Sequence, residues 1–115
     1  MMAADRARQD PAIDEAYLAC QTGGDAALAG ELLAMFSEQG ALHLATIRGQ
    51  APLQQRLDAA HTLKGAASAV GALRVATAAG EAEDALKAGE GSADAALAEL
   101  TDAVAEACSA IARRA

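Results

Sequence analysis

The stretch LQQRLDAAHTLKGAASAVGA, residues 53–72, decides the fold. Leu53, Leu57, Ala60, Leu63, Ala67 and Val70 recur in steps of three and four. That is the period of one helix face; on a strand every second residue would share a face. Pro52 suits a helix opening, where its missing N–H is not needed, and Gly71 suits a place where the helix ends or tightens. At about 100° per residue, with Leu53 at zero, the apolar stripe centres near about 330°. His61 then falls at about 80°, Ser68 at about 60°, Gly65 at about 120° and Lys64 at about 20°. These four residues cluster beside the stripe and outside it, so His61 is expected to be exposed or half-exposed.

Working outward, every neighbouring segment has helical spacing. Upstream, Asp10-Pro11 is a helix-start signal, with Asp10 as N-cap and Pro11 in the first turn. It predicts a short helix with Ile13, Tyr17 and Leu18 inward, ending near Gln21. Thr22-Gly23-Gly24 is a turn that hands Asp25 to the next helix as its cap. There Leu28, Leu32, Met35 and Phe36 form the expected stripe, continued by Leu42 and by Leu44 or Ile47. Downstream, a helix from about Ala72 has Leu73, Ala76, Ala79, Ala82 and Leu86 on its inner face. Gly89-Glu90-Gly91 turns the chain and Ser92 caps the last helix, which carries Leu97, Leu100, Val104, Cys108 and Ile111. Arg113 and Arg114 complement the dipole at its end. The expectation is an all-α protein: an antiparallel up-down four-helix bundle with a short additional N-terminal helix. Residues 1–9 are expected to be a disordered leader and residues 10–115 a single domain.

Composition narrows the function. Hydrophobic residues make up 53% of the 115, much of it alanine, with aromatics at only 2%, which favours closely packed helices over strands. A net charge of −7 with no basic stripe argues against nucleic acid and against anionic membranes. No apolar run approaches the roughly 20 residues of a membrane span, and the charged start MMAADRARQD lacks a signal-peptide core. A soluble, cytoplasmic protein is expected. Cys20 and Cys108 are expected to be buried, reduced thiols. The lack of linker-like tails suggests a stand-alone protein, and one bundle that buries all its stripes suggests a monomer.

Each neighbour of His61 has a chemical use. Lys64, one turn on, can lie beside a phosphoryl group on the imidazole and offset its charge. Gly65 costs about 1 kcal/mol of helix stability relative to alanine, so it needs a reason. It either clears the approach of another protein to the ring or lets another helix pack closely. Ser68, two turns on, can donate to a phosphoryl oxygen or bond the carbonyl one turn back. His43 lacks such company and reads as an ordinary surface residue.

The pattern His61-Thr62-Leu63-Lys64-Gly65, followed by Gly71-Ala72, resembles the signature of histidine-containing phosphotransfer (HPt) domains of bacterial two-component phosphorelays. Asp14 through Gly23-Gly24-Asp25, then Leu32-Leu33 and Phe36, resembles the family's first two helices, and Gly89-Glu90 its turn before the last helix. The resemblance implies that His61 accepts a phosphoryl group from a receiver-domain phospho-aspartate or a kinase and passes it to another receiver aspartate. Lys64 matches the neighbouring lysine and Gly65 the small residue that allows docking. Glu83 matches the Glu or Gln that faces the histidine. By accepting from Nδ1–H it would fix the tautomer and leave Nε2 free as nucleophile. The family often has Leu before that acid, where this chain has Ala82, and serines where it has Ala66 and Ala67.

Phosphoryl transfer runs largely by positioning and charge stabilisation, so few residues suffice. No cofactor is expected on this chain; Mg²⁺ and the acidic pocket would come from the receiver. Partners would be response-regulator receivers or a hybrid histidine kinase, approaching a surface built from the third helix and the adjacent part of the second, with Gly40, Ala41 and Leu44 as candidate rim. Length leaves no room for an ATP-binding lobe, so an autonomous kinase is excluded. A carboxylate-bridged metal bundle would need Glu-x-x-His pairs, and Asp58 and Gly40 stand in those places. The alternative function is an HPt-like adaptor that binds receivers or kinases without carrying phosphate.

Overall fold

A computed structural model describes residues 12–89, 91 and 93–114. Among them the chain is all-helical, with five helices and no strand. These are α1 (Glu15–Gln21), α2 (Ala26–Arg48), α3 (Leu53–Val70), α4 (Leu73–Ala88) and α5 (Ala93–Arg113). The long helices pack α2 on α3, α3 on α4, α4 on α5 and α5 back on α2, while α1 lies on α2 and α3. No helix among the described residues is long and apolar enough to cross a membrane.

Capping chemistry sets the boundaries. The carboxylates of Asp14 and Asp25 each accept a backbone N–H three residues on, Tyr17 N and Leu28 N, both at 3.0 Å. α1 therefore starts at Glu15 under Asp14. The expected start at Asp10-Pro11, the leader, Glu90 and the Ser92 cap lie outside the described residues. Gly71 ends α3 at φ +80, a left-handed conformation that L side chains resist. Its backbone also meets α1. Asp14 N donates to Gly71 O at 2.8 Å, and a Cβ on Gly71 would stand 2.9 Å from Asp14 O. Only glycine fits both constraints.

The core is small-residue and dense. Leu18, Leu33, Ile47, Leu63, Val75 and Leu100 are its largest fully buried side chains, set among Ala60, Ala67, Ala79 and Ala82. On α2 the buried residues are Ala29, Leu33, Phe36, Gly40 and Ile47, whereas Leu28, Met35 and Leu42 are exposed. Phe36 and Ile47 of the expected α2 stripe are therefore buried, while the centre of the buried face is turned by about one residue from it. Gly40 faces α3, and a Cβ on it would lie 3.7 Å from Leu63 Cδ1. Three further expectations are corrected. Tyr17 is exposed, not inward; Leu53 and Leu73 sit outside the core, each in the first turn of its helix; and Cys20 is an exposed free thiol. Cys108 is half-buried and free.

Candidate functional site

α3 presents His61 on its open side. Ala59, Ala60, Leu63, Ala67 and Val70 are the buried residues of this helix. That arc is turned by about 40° from the stripe expected from the sequence. The rotation leaves Leu53 outside and carries His61 further from the core, with its side chain 75% exposed. An imidazole so placed has a ring edge free for a partner.

α4 supplies the second wall. Glu83 Oε1 stands 3.6 Å from His61 Nδ1, and the glutamate side chain is only 15% exposed. At that separation the ring and carboxylate face each other but must close by about half an ångström to form a hydrogen bond. The other oxygen, Oε2, lies 3.6 Å from Lys87 Nζ, one turn further along α4. Three residues on from His61, the Lys64 stem crosses α4 at Gly80, three residues back from Glu83. A Cβ on Gly80 would sit 3.6 Å from Lys64 Cδ and 3.8 Å from Cε. The two helices thus run antiparallel in one register, with His61 opposite Glu83 and Lys64 opposite Gly80. Among the described residues Lys64 forms no ion pair, which leaves its ammonium available.

Gly65 is exposed, and an added Cβ would meet nothing within 4 Å. Close helix packing therefore does not explain this glycine, and open access remains. Ser68 is half-buried, roughly 10 Å along the axis from His61 by the helical rise, at the edge of the site and not beside the ring. His61, Lys64, Gly65 and Glu83 are brought together; Ser68 is less close. Lys87 and Gly80 had a sequence signal that went unused: Glu83 and Lys87 have the favourable i, i+4 order, and Gly80 is a mid-helix glycine. No group of His, Cys, Asp and Glu among the described residues could hold a metal ion.

Beside this site an apolar groove of about 220 Å³ runs between α2 and α3, lined by Leu32, Met35, Phe36, Gln39, Ala66, Ala69 and Val70. Gly40 is buried against Leu63, Leu44 is half-buried and only Ala41 is exposed. Gly65 lies on α3 between the groove and His61.

The Hpt domain family pattern matches residues 31–113, most of α2 through the end of α5, with the whole α3–α4 hairpin inside it. The chain belongs to the Hpt domain family. Hpt domains are histidine phosphotransfer carriers of two-component systems, acting with receiver domains and kinases and not as autonomous kinases. No curated protein and no solved structure shows a significant match to the chain. α1, which abuts the α3–α4 turn of this Hpt domain through Asp14 and Gly71, precedes the matched residues.

Proposed function

We propose that His61 is the phosphoryl carrier of this Hpt domain, accepting from a receiver phospho-aspartate or a kinase and donating to another receiver aspartate. The observation that carries this reading is a 75% exposed imidazole whose Nδ1 faces the sheltered carboxylate of Glu83. With the proton on Nδ1 and Glu83 as its acceptor, the Nε2 lone pair is directed outward. It attacks phosphorus in line, the N–P bond forms, and the acyl-phosphate O–P bond breaks with its electron pair returning to the aspartate. Lys64 turns its unpaired ammonium to the transferred group. The receiver brings Mg²⁺ and its acidic pocket; this chain contributes the presented ring, a cation and an approach surface.

That surface is the exposed side of α3 from His61 across Gly65 to the groove at Met35 and Leu32, on a bundle whose long helices run alternately up and down. Ser68, at its edge, reaches a phosphoryl oxygen only through a water or a shifted partner, so Ser68→Ala should have the mildest effect of the site variants. The domain is proposed to act in the cytoplasm of a bacterium as a monomer.

The test is transfer of label from a phosphorylated receiver with Mg²⁺. The product should be acid-labile and alkali-stable, as a phosphoramidate is. It should vanish in His61→Gln and persist in His43→Gln. Label that survives loss of His61 would sink the relay, and binding of receiver without any label would leave the adaptor role instead.

A further inference from the structure

We propose that Gly80 and Lys87 are positioning residues for the phosphoryl chemistry at His61: Gly80 leaves the bed on which the Lys64 stem rests, and Lys87 holds the Glu83 carboxylate in the orientation that meets Nδ1. This inference rests on His61 being the carrier. The α4 face opposite His61 consists of Gly80, Glu83 and Lys87, at steps of three and four along the helix.

Gly80 is half-buried in the interior of a helix, where glycine is unfavourable. Its backbone needs no special conformation, since its φ is not positive. The nearest atoms to an added Cβ are all on Lys64: Cδ at 3.6 Å, Cε at 3.8 Å and Nζ at 3.9 Å. No backbone of another helix comes as near as these atoms, so close packing of α4 does not demand the glycine. A single Cβ would make ordinary van der Waals contact with the Lys64 stem, and a longer side chain would extend over the space the stem occupies. A flat bed lets the long stem lie back against α4 with its ammonium unpaired, one turn from His61, instead of sweeping freely through solvent.

Lys87 acts on the other flank. A carboxylate torsion is soft and nearly twofold, so a single contact does not fix it. Here the two oxygens of Glu83 are divided, Oε1 toward His61 Nδ1 and Oε2 toward Lys87 Nζ, each at 3.6 Å. Glu83 is sheltered while Lys87 is 58% exposed, so the lysine adds little to folding and its removal leaves the bundle intact. Its effect is on which way the carboxylate points, and through that on which ring nitrogen keeps the proton.

The experiment has two arms on the full chain. In the first, the wild-type protein should show nuclear Overhauser contacts from Gly80 Hα to the Lys64 δ and ε methylenes; their absence would overturn the bed. Gly80→Leu, with Gly80→Gln as a second variant that keeps helix propensity, should slow receiver-dependent labelling by the same factor as Lys64→Ala. Combined with Lys64→Ala, either should slow it no further. Wild-type rates in both, or slowing that multiplies with Lys64→Ala, would refute a role through Lys64. In the second arm, ¹⁵N shifts of the neutral His61 ring should report the proton on Nδ1. Lys87→Met should move the population toward Nε2–H, and Lys87→Arg should restore it. Identical ring shifts in all three proteins would remove Lys87 from the site. Loss of label in His61→Gln tests the carrier separately, so an unaffected Gly80 or Lys87 variant beside an inactive His61→Gln defeats only this inference.

Discussion

At the scale of single residues, the sequence spacing placed His61, Lys64 and Gly65 on one open face, and all three are exposed there. The geometry adds what spacing could not. Glu83 divides its oxygens between two partners, and Ser68 stands two turns from the ring. Gly65 makes the sharpest prediction, because an added Cβ there meets nothing within 4 Å in the protein. Gly65→Leu should raise helix stability by about 0.5–1 kcal/mol in urea unfolding. The same change should abolish or strongly slow receiver-dependent labelling, because the new side chain occupies the approach to the ring. A variant that is more stable and equally reactive would show that partners do not come in over Gly65. Lys64→Ala should leave the unfolding midpoint nearly unchanged, since an exposed lysine contributes little to the fold, while shortening the lifetime of the phosphorylated form in a decay assay.

At the scale of helices, Gly71 is the joint where α3, α4 and α1 meet. Gly71→Ala must place a Cβ in the left-handed region and 2.9 Å from Asp14 O. The conformational cost alone is about 1–2 kcal/mol, and the clash with backbone adds to it. Thermal unfolding should therefore fall by several degrees, with α1 amides the first to lose hydrogen-exchange protection. Helix existence and most boundaries were legible because the stops, Gly71 and Pro52, and the cap Asp25 act locally. The burial register of α2 was not. That helix carries two apolar rows, one through Leu28, Leu32, Met35 and Leu42, the other through Ala29, Leu33, Phe36 and Ile47, and hydrophobicity alone does not rank them. The choice involves the neighbouring helix: the fully buried Leu63 of α3 packs over Gly40, on the same side of α2 as the second row. A stripe read from one helix contains no information about the partner against which it packs.

At the scale of the whole molecule, the buried core and the proposed docking face are different surfaces and can be altered separately. Leu63 is fully buried at the meeting of α2 and α3, so Leu63→Ala should cost about 2–5 kcal/mol in denaturant unfolding. Met35 is 59% exposed in the α2–α3 groove. Met35→Glu should therefore change stability by no more than about 0.5 kcal/mol. It should weaken receiver binding by about tenfold or more in a titration if that groove is the docking face. The α3–α4 hairpin has a consequence of another kind. His61, Lys64, Gly65, Gly80, Glu83 and Lys87 all lie on two helices joined through Gly71 and Ala72 alone, so their mutual contacts close over short stretches of chain. Such contacts cost little loop entropy, and the reactive centre assembles with few demands on the distant parts of the sequence. Under the proposed function, substitutions on the exposed row of α2 can then retune the choice of partner without touching the hairpin that holds the proposed chemistry.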